Sequence, residues 1–376
     1  MNRGRICHFT CAHSLDDTRV FQKECIALAK SGFEVFYIVP NAQTGIVDGV
    51  NIIGVSAKSL NPIYRLLFLS RKIYREVIKI DADIYHFHDI ELFWFGLKLK
   101  KAGKRVIFDS HEDWFGYAKS IKWLPKILKN FVEIYLRRMY SENLHSFDKV
   151  ITVSPHIVEI LSLYSSKVEL ITNYPLIDDT TIASISFDSY FKRPNIACYT
   201  GTVYEFSLQE NIINALSGIP NIKYQIIGNI SNEYKTKLVS LHNGQNLEFV
   251  EYISKKELEE YYNNSILGFA IFDYIPNLGG KKGSLGVNKI YEYMAKGLPV
   301  ICTDFELWQS FISKYKCGIC VNSHDIQEIK SAIEYLLHNK QEAYDMGQNG
   351  QKAIKSEFNW EIEGQKYIRI VESVIQ

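Results

Sequence analysis

The chain has 376 residues, enough for two domains with separate hydrophobic cores. Hydrophobic residues make up 47% and charged residues 23%, and no apolar run approaches the roughly 20 residues of a membrane-spanning helix. The formal net charge of +1, without a lysine or arginine tract, excludes a general nucleic-acid binder. Seven scattered cysteines, and a first strand where a secretion signal would lie, predict a reduced protein of the cytoplasm.

The first half of the sequence alternates apolar strands with helical segments. Strands are predicted at 6–10, 34–39, 84–87, 106–110, 149–153 and 168–171, with helices at about 19–31, 63–79, 91–102 and 120–144. Strands separated by helices form parallel βαβ units. We therefore predict a doubly wound α/β domain over residues 1–175.

A second domain follows a predicted linker. Residues 176–195 lack periodicity and are rich in Asp, Ser and Thr, which is typical of a linker. From 196 to 359 the alternation resumes, with predicted strands at 196–199, 224–227, 247–250, 267–271, 300–303 and 319–321 and helices at about 325–339 and 341–356. A last helix, near 360–375, has no strand after it.

The segment 283–304 combines a glycine-bearing loop, a short helix from Asn288 and a buried strand. The loop, which includes Gly286, can bring backbone amides close to a ligand, and the helix N-terminus offers partial positive charge to phosphate oxygens. Glu292, one turn into the helix, offers a carboxylate to two neighbouring sugar hydroxyls. This arrangement predicts a seat for a nucleoside diphosphate, although α/β domains without a ligand carry the same elements.

Polar side chains follow two neighbouring strands of the first half, where open parallel sheets bind ligands. His86 and His88 lie on one face of a strand, and Asp89 comes directly after them. Asp109 and His111 are paired in the same way on the next strand. These residues predict a substrate site, and the alternative for each histidine is a structural role.

The loop after the first strand also carries polar residues, among them His13, and it lacks the GxGxxG pattern of dinucleotide dehydrogenases. Asp17 or Thr18 can cap the helix that follows. His13 and Arg19 are left as candidates for substrate contact. The histidines and carboxylates of this half lack the spacing of a known hydrolase metal set, so we predict no metal site.

Four segments in chain order resemble the motifs of GT-B glycosyltransferases of family 4. Residues 288–300, Asn-Lys-Ile-Tyr-Glu-Tyr-Met-Ala-Lys-Gly-Leu-Pro-Val, resemble the donor-site motif, and residues 5–35 resemble the N-terminal motif. Residues 83–92 and 106–113 are similar to the two middle motifs. The resemblance implies the GT-B fold: two Rossmann-like, doubly wound domains facing across a cleft. It also implies that the last helix, 360–376, crosses back to the N-terminal domain.

The resemblance further implies a retaining glycosyltransferase that needs no metal or other cofactor. Its donor is expected to be a nucleoside-diphosphate sugar, and its acceptor a glycan or lipid-linked glycan in cell-surface polysaccharide synthesis. The predicted site residues are His111 and Glu112 for catalysis, Gly201, Thr202, Gly286, Asn288, Lys289 and Glu292 for the donor, and His13, Arg19, His88 and Asp89 on the acceptor side. A nucleotide-sugar epimerase of the same fold and a non-catalytic nucleotide-sugar-binding subunit are the alternatives.

The chain departs from the family pattern at two places. Family members usually carry a glutamate eight positions before the one equivalent to Glu292, and this chain has Ser284 there. Many members also place an arginine and a lysine after the first strand of the C-terminal domain, and the segment 199–210 has neither. The positive charge for the diphosphate is then expected from Lys281, Lys282 or Lys289.

Two predicted helices carry basic residues along one side. The first stripe consists of Arg65, Arg71, Lys72, Arg75 and Lys79, and the second of Lys119, Lys122, Lys126, Lys129 and Arg137. Ile127, Phe131 and Ile134 are predicted to lie opposite the second stripe. Each charge near an anionic lipid surface contributes about 1 kcal/mol, so the stripes predict peripheral contact with the inner face of the plasma membrane. A solvated helix face is the alternative.

Overall fold

We describe a computed structural model that covers residues 3–120, 125–177, 185–241, 246–251 and 253–375, the side chains of Ser120, Lys255 and Lys256 excepted. The chain divides into two compact units. The first unit comprises Met1–Asn173 and Trp360–Gln376, and the second comprises Tyr174–Asn359.

The first unit is built on a sheet of strand order β3-β4-β2-β1-β5-β6-β7-β8. The strands are β1 Arg5–Phe9, β2 Glu34–Pro40, β3 Gly45–Val47, β4 Val50–Val55, β5 Ile84–Phe87, β6 Arg105–Ser110, β7 Lys149–Thr152 and β8 Val168–Leu170. In this spatial order, every neighbouring pair from β4-β2 through β7-β8 is parallel, and β3 pairs antiparallel with β4. Buried apolar runs such as Ile84–Phe87 are typical of parallel strands that are covered on both faces.

Helices connect these strands and cover the sheet. They are Thr18–Cys25 continued by Ile26–Lys30, Pro62–Tyr64 continued by Arg65–Leu69 and Ser70–Val77, Phe93–Lys101, Trp114–Ser120, Lys126–Asn143, Pro155–Ser162 and Trp360–Ile375, with 3-10 turns at Ile90–Leu92 and Leu144–Ser146. The Asp17 side chain caps the first helix by accepting hydrogen bonds from the backbone N–H groups of Arg19 and Val20.

The second unit has a parallel sheet of strand order β11-β10-β9-β12-β13-β14. Its strands are β9 Ile196–Thr200, β10 Lys223–Ile227, β11 Leu247–Val250, β12 Leu267–Ala270, β13 Val300–Thr303 and β14 Gly318–Val321. Its helices are Phe187–Phe191, Gln209–Leu216, Asn232–Leu241, Lys255–Asn264, Asn288–Ala295, Glu306–Tyr315, Ile326–His338 and Lys340–Ser356, with 3-10 turns at Glu205–Ser207, Pro276–Leu278 and Gly280–Lys282.

The predicted α/β class and doubly wound architecture are confirmed, and the structure adds a hairpin that the sequence analysis missed. Asp48 and Gly49 connect β3 to β4 with φ angles of 50° and 80°. Two residues with positive φ are what a type I′ turn requires, and Asp-Gly is a preferred pair for it. The dipeptide was therefore a usable signal.

The linker predicted over 176–195 is wrong for its described C-terminal part. Phe187–Phe191 forms a helix, and Tyr190 is buried in the apolar core of the second unit. The Tyr190 hydroxyl donates to the Ile266 carbonyl at 2.7 Å. Residues 178–184 of the predicted linker lie outside the described residues. Phe187, Tyr190 and Phe191 have the i, i+3, i+4 spacing of one helix face, but a run of five residues is too short to establish a period, which accounts for the error.

The apolar face predicted opposite the second basic stripe does not pack inward. Ile127, Phe131 and Ile134 are all more than 60% exposed. The burial of the helix Lys126–Asn143 begins only at Leu136. The stripe residue Lys122 lies outside the described residues.

Candidate functional site

Histidines from three strand ends gather in the first unit. His8 of β1 contacts His88 through Nδ1 and Nε2 at 3.0 Å, and His88 Nδ1 lies 3.4 Å from His111 Nε2. The rings of His13 and His111 are 5.0 Å apart. Because β1, β5 and β6 are parallel neighbours, the residues that end them meet at one edge of the sheet. The predicted residues His13, His88 and His111 are thus brought together.

Arg19 lies behind this cluster and is almost fully buried. Its guanidinium donates to both oxygens of Asp109 at 3.0–3.3 Å and to the Ile171 carbonyl at 2.8 Å. Its Nε is also 3.2 Å from His111 Nε2. Burial acts to raise the pKa of Asp109, but Arg19 and His111 outweigh it and hold that pKa well below the ordinary value. We therefore expect Arg19 to position Asp109 and His111 instead of touching substrate.

His111 offers a ring nitrogen to a ligand. Its Nε2 lies 3.1 Å from Asp109 Oδ2, and no hydrogen-bond partner for its Nδ1 occurs among the residues described. Burial lowers the pKa of His111 despite the opposing effect of Asp109. The ring is therefore neutral near pH 7. The Glu112 side chain follows it and is exposed.

His13 and Asp89 fix the loop after β1. Asp89 Oδ2 accepts hydrogen bonds from Thr10 Oγ1 and the Cys11 N–H, both at 2.6 Å. His13 Nδ1 is 2.8 Å from Asp17 Oδ2. Burial alone would lower the pKa of His13, but Asp17 and the neighbouring carboxylates raise it above its ordinary value. Asp89 is buried and its Oδ2 holds the loop after β1, so we expect its main contribution to be to the shape of that loop.

The C-terminal helix contributes a residue that the sequence analysis missed. The Tyr367 hydroxyl lies 3.1 Å from His86 Nδ1 and 3.3 Å from His8 Nε2. This contact anchors the helix Trp360–Ile375 to the first unit, to which the helix belongs. A single tyrosine at a buried helical position carries no local signal for such a role.

The ligand atoms of these residues suit a metal ion poorly. Among the described residues, three groups lie close enough to hold one: His8 with Glu24, His86 and His88; His88 with Asp109 and His111; and Cys11 with Asp89 and Glu91. In the second group the Arg19 guanidinium already approaches both Asp109 and His111, so a cation would be repelled. In the third, Asp89 accepts from Thr10 and Glu91 pairs with Arg65 at 2.6 Å.

The first of these groups is engaged by the chain itself. His8 and His88 are bonded to each other, and burial raises the pKa of Glu24 well above the ordinary value, which favours its neutral form. A metal ligand would have to be ionised. Arg19 Nε lies 3.1 Å from Glu24 Oε1, although the hydrogen-bond direction is poor and both Glu24 oxygens lack a hydrogen bond.

In the second unit, the helix predicted to bind phosphate spans Asn288–Ala295. We call it the donor helix. Its N-cap residue, Val287, has no side chain that can accept from the first-turn N–H groups. Asn288 is exposed at this end, and the loop before it contains Gly286, whose N–H donates to Ser284 Oγ at 3.2 Å. The first turn can therefore accept an anion.

Lys289 lies beneath the end of β9. Its ammonium is 4.9 Å from the centre of the Tyr199 ring, and a Cβ atom at Gly201 would lie 2.9 Å from it. Gly201 has a φ of 99°, which favours glycine and lets the lysine approach. Among the described residues no carboxylate lies within ion-pair distance of this ammonium. Burial lowers the pKa of Lys289, although Glu292 acts against that shift.

Glu292 is held in place by a buried tyrosine. The Tyr262 hydroxyl lies 3.2 Å from Glu292 Oε2 and 3.0 Å from Thr200 Oγ1. The exposed Thr202 follows two residues after Thr200. The predicted donor residues Gly201, Thr202, Lys289 and Glu292 are therefore grouped at one end of the sheet, and Tyr262 joins them unpredicted.

Ser284, at the position of the missing glutamate, has a local structural role. Its carbonyl accepts from Trp308 Nε1 at 2.8 Å, and its side chain is nearly buried. Lys281 is exposed and Lys282 half-buried in the short turn Gly280–Lys282. Of the three lysines considered for the diphosphate, Lys289 belongs to the donor helix and its ammonium reaches the end of β9.

Comparison with known proteins agrees with this geometry. The model of glycosyl transferases group 1 matches residues 184–353, and that of glycosyltransferase family 4 matches residues 18–174. An uncharacterized glycosyltransferase of Methanocaldococcus jannaschii is 24% identical over 197 residues. That match spans 49% of this chain and only 47% of the relative.

Solved structures share the fold along the whole chain. Sucrose-phosphate synthase from Thermosynechococcus elongatus is 18% identical with a TM-score of 0.77, and the alignment covers 98% of both chains. HepE of Anabaena, in complex with UDP and glucose, is 12% identical with a TM-score of 0.72 over 98% of this chain and 100% of that one. WaaG, a glycosyltransferase involved in lipopolysaccharide biosynthesis, is 13% identical with a TM-score of 0.67 over 97% and 99%. The two family models together with this fold place the chain in glycosyltransferase family 4, with the GT-B architecture.

Proposed function

We propose that the protein is a retaining glycosyltransferase that moves a hexosyl or hexosaminyl group from a nucleoside-diphosphate sugar to a glycan or lipid-linked glycan. Its acceptor belongs to cell-surface polysaccharide synthesis, such as lipopolysaccharide or capsule. The proposal extends the family membership to a donor, an acceptor class and a stereochemical outcome.

The observation that carries the donor assignment is the position of Lys289. The Lys289 ammonium, which has no carboxylate partner among the residues described, and the uncapped helix N-terminus next to it provide two sources of positive charge for one diphosphate. Glu292 lies one turn further along the donor helix, at a distance suited to ribose hydroxyls. Lys289 thus takes over the charge that other family members supply from an arginine and lysine after β9.

The proposed chemistry needs little from the protein besides positioning. In a retaining transfer without an enzyme nucleophile, the leaving diphosphate accepts the proton of the acceptor hydroxyl as the new glycosidic bond forms. The donor helix and Lys289 stabilise the charge that develops on the diphosphate. His111, neutral and braced by Asp109, donates or accepts a hydrogen bond at the sugar or the acceptor, and Glu112 orients the acceptor.

The transfer is proposed to be independent of metal ions. Magnesium usually neutralises a departing diphosphate, and here Lys289 and the helix N-terminus are assigned that role. Nucleotide binding by calorimetry should persist in excess chelator. A strict requirement for a divalent ion, restored on adding it back, would contradict this part of the proposal.

A donor screen separates the proposal from its alternatives. The protein is incubated with UDP-, GDP- and ADP-sugars, and release of the nucleoside diphosphate is followed with and without glycan acceptors. A transferase releases diphosphate in an acceptor-dependent manner and gives a product with the donor's anomeric configuration. Epimerised sugar without an acceptor would favour an epimerase, and binding without turnover would favour a non-catalytic subunit.

We also propose that the protein works in the cytoplasm and on the inner face of the plasma membrane, where lipid-linked glycan acceptors are exposed. The support is the basic residues of the helical stretch 62–77 and of the helix Lys126–Asn143.

A further inference from the structure

An exposed apolar surface lies on the first unit. Two segments form it: residues 60–68, which follow β4, and residues 126–135, the first half of the helix Lys126–Asn143. None of these described residues is buried. The exposed apolar side chains are Leu60, Ile63, Leu66, Leu67 and Phe68 from the first segment, and Ile127, Leu128, Phe131, Val132, Ile134 and Tyr135 from the second. We call this set the apolar edge.

The two segments leave the same edge of the sheet as the candidate site. β4 ends at Val55 and β6 at Ser110, and both belong to the parallel part of the sheet. Arg65, within the first segment, pairs with Glu91, two residues after Asp89. Trp94 Nε1 donates to the Tyr135 hydroxyl at 2.9 Å, which ties the second segment to the helix between β5 and β6.

The second segment has the amphipathic pattern of a helix whose apolar face packs on a core, but that face is exposed. Ile127, Phe131 and Ile134 recur at the spacing of one helix face and are 70%, 64% and 62% exposed. Ten residues of α-helix extend about 15 Å. An apolar face of this size on a soluble unit marks an interaction site.

The charge around the apolar edge is positive. Residues 57–75 contain five basic residues and no Asp or Glu, and residues 114–132 also lack acidic residues. Lys126 and Lys129 lie within the second segment, and Arg71 and Lys72 follow the first. Glu133, the one acidic residue of the sequence 126–135, pairs with Lys119 and Arg137 at 3.2 and 2.7 Å.

The exposed apolar side chains and the positive charge around them together indicate what binds the apolar edge. A second copy of the chain, docked through the same surface in a two-fold dimer, would bring the two sets of basic residues against each other. An anionic bilayer instead receives apolar side chains into its acyl region and lysines at its headgroups. We infer that the apolar edge inserts into the interface of an anionic membrane.

The insertion has a consequence for the acceptor, and that consequence rests on the proposed function. Since the apolar edge and His111 share one edge of the sheet, a membrane-bound protein presents this edge to the bilayer. An acceptor carried on a lipid would then meet the site without leaving the membrane. No helix among the described residues is long and apolar enough to span the bilayer, so the contact is interfacial.

The test is vesicle co-sedimentation of the full chain. Wild type is compared with an apolar variant, Ile127→Ser/Phe131→Ser/Ile134→Ser, and with a control of equally exposed apolar residues elsewhere, Leu163→Ser/Phe191→Ser/Val239→Ser. Vesicles contain either phosphatidylcholine alone or an equimolar mixture with phosphatidylglycerol. The apolar variant should lose about tenfold or more of the wild-type partition coefficient on acidic vesicles, and the control should keep it.

Salt distinguishes insertion from charge attraction. Screening weakens exposed charge pairs beyond roughly 8 Å at physiological ionic strength, so a purely electrostatic contact fades as salt rises. Insertion predicts that wild type retains more binding at high salt than the apolar variant does. Equal pelleting of the two under every condition, or no pelleting of wild type, would overturn the inference. So would a wild-type dimer that the apolar variant converts to monomer, because the occupant would then be a second copy.

Measuring nucleotide binding by the same variants distinguishes a failure of the membrane inference from a failure of the proposed function. Both serine variants should bind nucleoside diphosphates as wild type does, since the apolar variant leaves the second unit unchanged and the control replaces none of the predicted donor residues. Vesicle binding without nucleotide binding would refute the transferase proposal and keep the membrane inference. Nucleotide binding without vesicle binding would refute the membrane inference and keep the transferase proposal.

Discussion

The Tyr262 hydroxyl lies 3.2 Å from Glu292 Oε2 and, by its other contact, 3.0 Å from Thr200 Oγ1. The donor helix is thereby joined to the end of β9 through one buried phenol. Glu292 has little freedom to change rotamer, which lowers the entropy cost when it binds a ligand. A carboxylate held in this way is suited to two adjacent hydroxyl groups.

Replacing Glu292 with alanine should weaken nucleotide binding. A hydrogen bond to a charged group contributes about 1.5–3 kcal/mol, so the Kd for UDP, GDP or ADP should rise by roughly 10- to 100-fold. Calorimetry measures the change directly. Glu306→Ala, an exposed glutamate of the neighbouring helix, serves as the control. Unchanged affinity for all three nucleotides would locate the seat elsewhere.

Tyr262→Phe tests whether the phenol positions Glu292. Loss of one neutral hydrogen-bond donor should cost about 0.5–1.5 kcal/mol, a severalfold rise in Kd. If Tyr262 acts through Glu292, the same substitution should have little further effect in a Glu292→Ala background. Additive losses in the double variant would instead show that Tyr262 supports the fold independently of Glu292.

Lys289→Met should discriminate among ligands by their phosphate content. The substitution retains the packing against Tyr199 and removes the charge, so the Kd for a nucleoside diphosphate should rise by roughly tenfold or more. The affinity for the bare nucleoside should change little. Lys281→Met is a matched control on the exposed turn nearby. A uniform loss for diphosphate and nucleoside would mean that Lys289 maintains the loop and does not bind phosphate.

Periodicity and motif order were enough for the architecture but not for every contact. The strands from β5 to β8 and from β9 to β14 follow apolar runs that local pattern predicts. The hairpin of β3 and β4 depends on the Asp48-Gly49 turn, because its exposed strand β3 carries no core signal. The exposure of Ile127 and Phe131 could not be predicted, since an amphipathic pattern records that a face is apolar and not what covers it.

The candidate site was predictable where it follows strand ends and unpredictable where it depends on long-range packing. The proximity of His88 and His111 was predictable because each follows the end of one of two neighbouring parallel strands. Arg19 was expected at the substrate, yet its guanidinium pairs with the buried Asp109. A buried carboxylate without a cationic partner would be strongly destabilising, and local sequence does not show which cation supplies that partner. Tyr262 and Tyr367 were missed because each reaches its partner across many residues of chain.

His111→Ala should slow turnover more than it weakens nucleotide binding. His111 belongs to the first unit, whereas the predicted nucleotide contacts belong to the second. Loss of one positioned hydrogen bond to the reacting groups should lower kcat on the order of 100-fold. His111→Asn, which keeps a polar side chain, should recover part of that loss. Equal reductions in nucleotide affinity and kcat would mark a structural histidine.

The buried histidines should make the protein acid-sensitive. Burial lowers the pKa of His8 and His86 well below the ordinary value, and that of His88 to about 4. Because the folded pKa values lie below the unfolded value of about 6.5, the unfolded chain binds more protons below that pH. The free energy of unfolding should therefore fall as the pH drops from about 6.5 towards 5, by up to about 1.4 kcal/mol per pH unit for each histidine. Denaturant titrations of wild type and His86→Gln across this range measure the slope, which should be shallower in the variant by one proton. Parallel slopes would show that His86 is already protonated in the folded state and that its hydrogen bond to Tyr367 involves the charged ring.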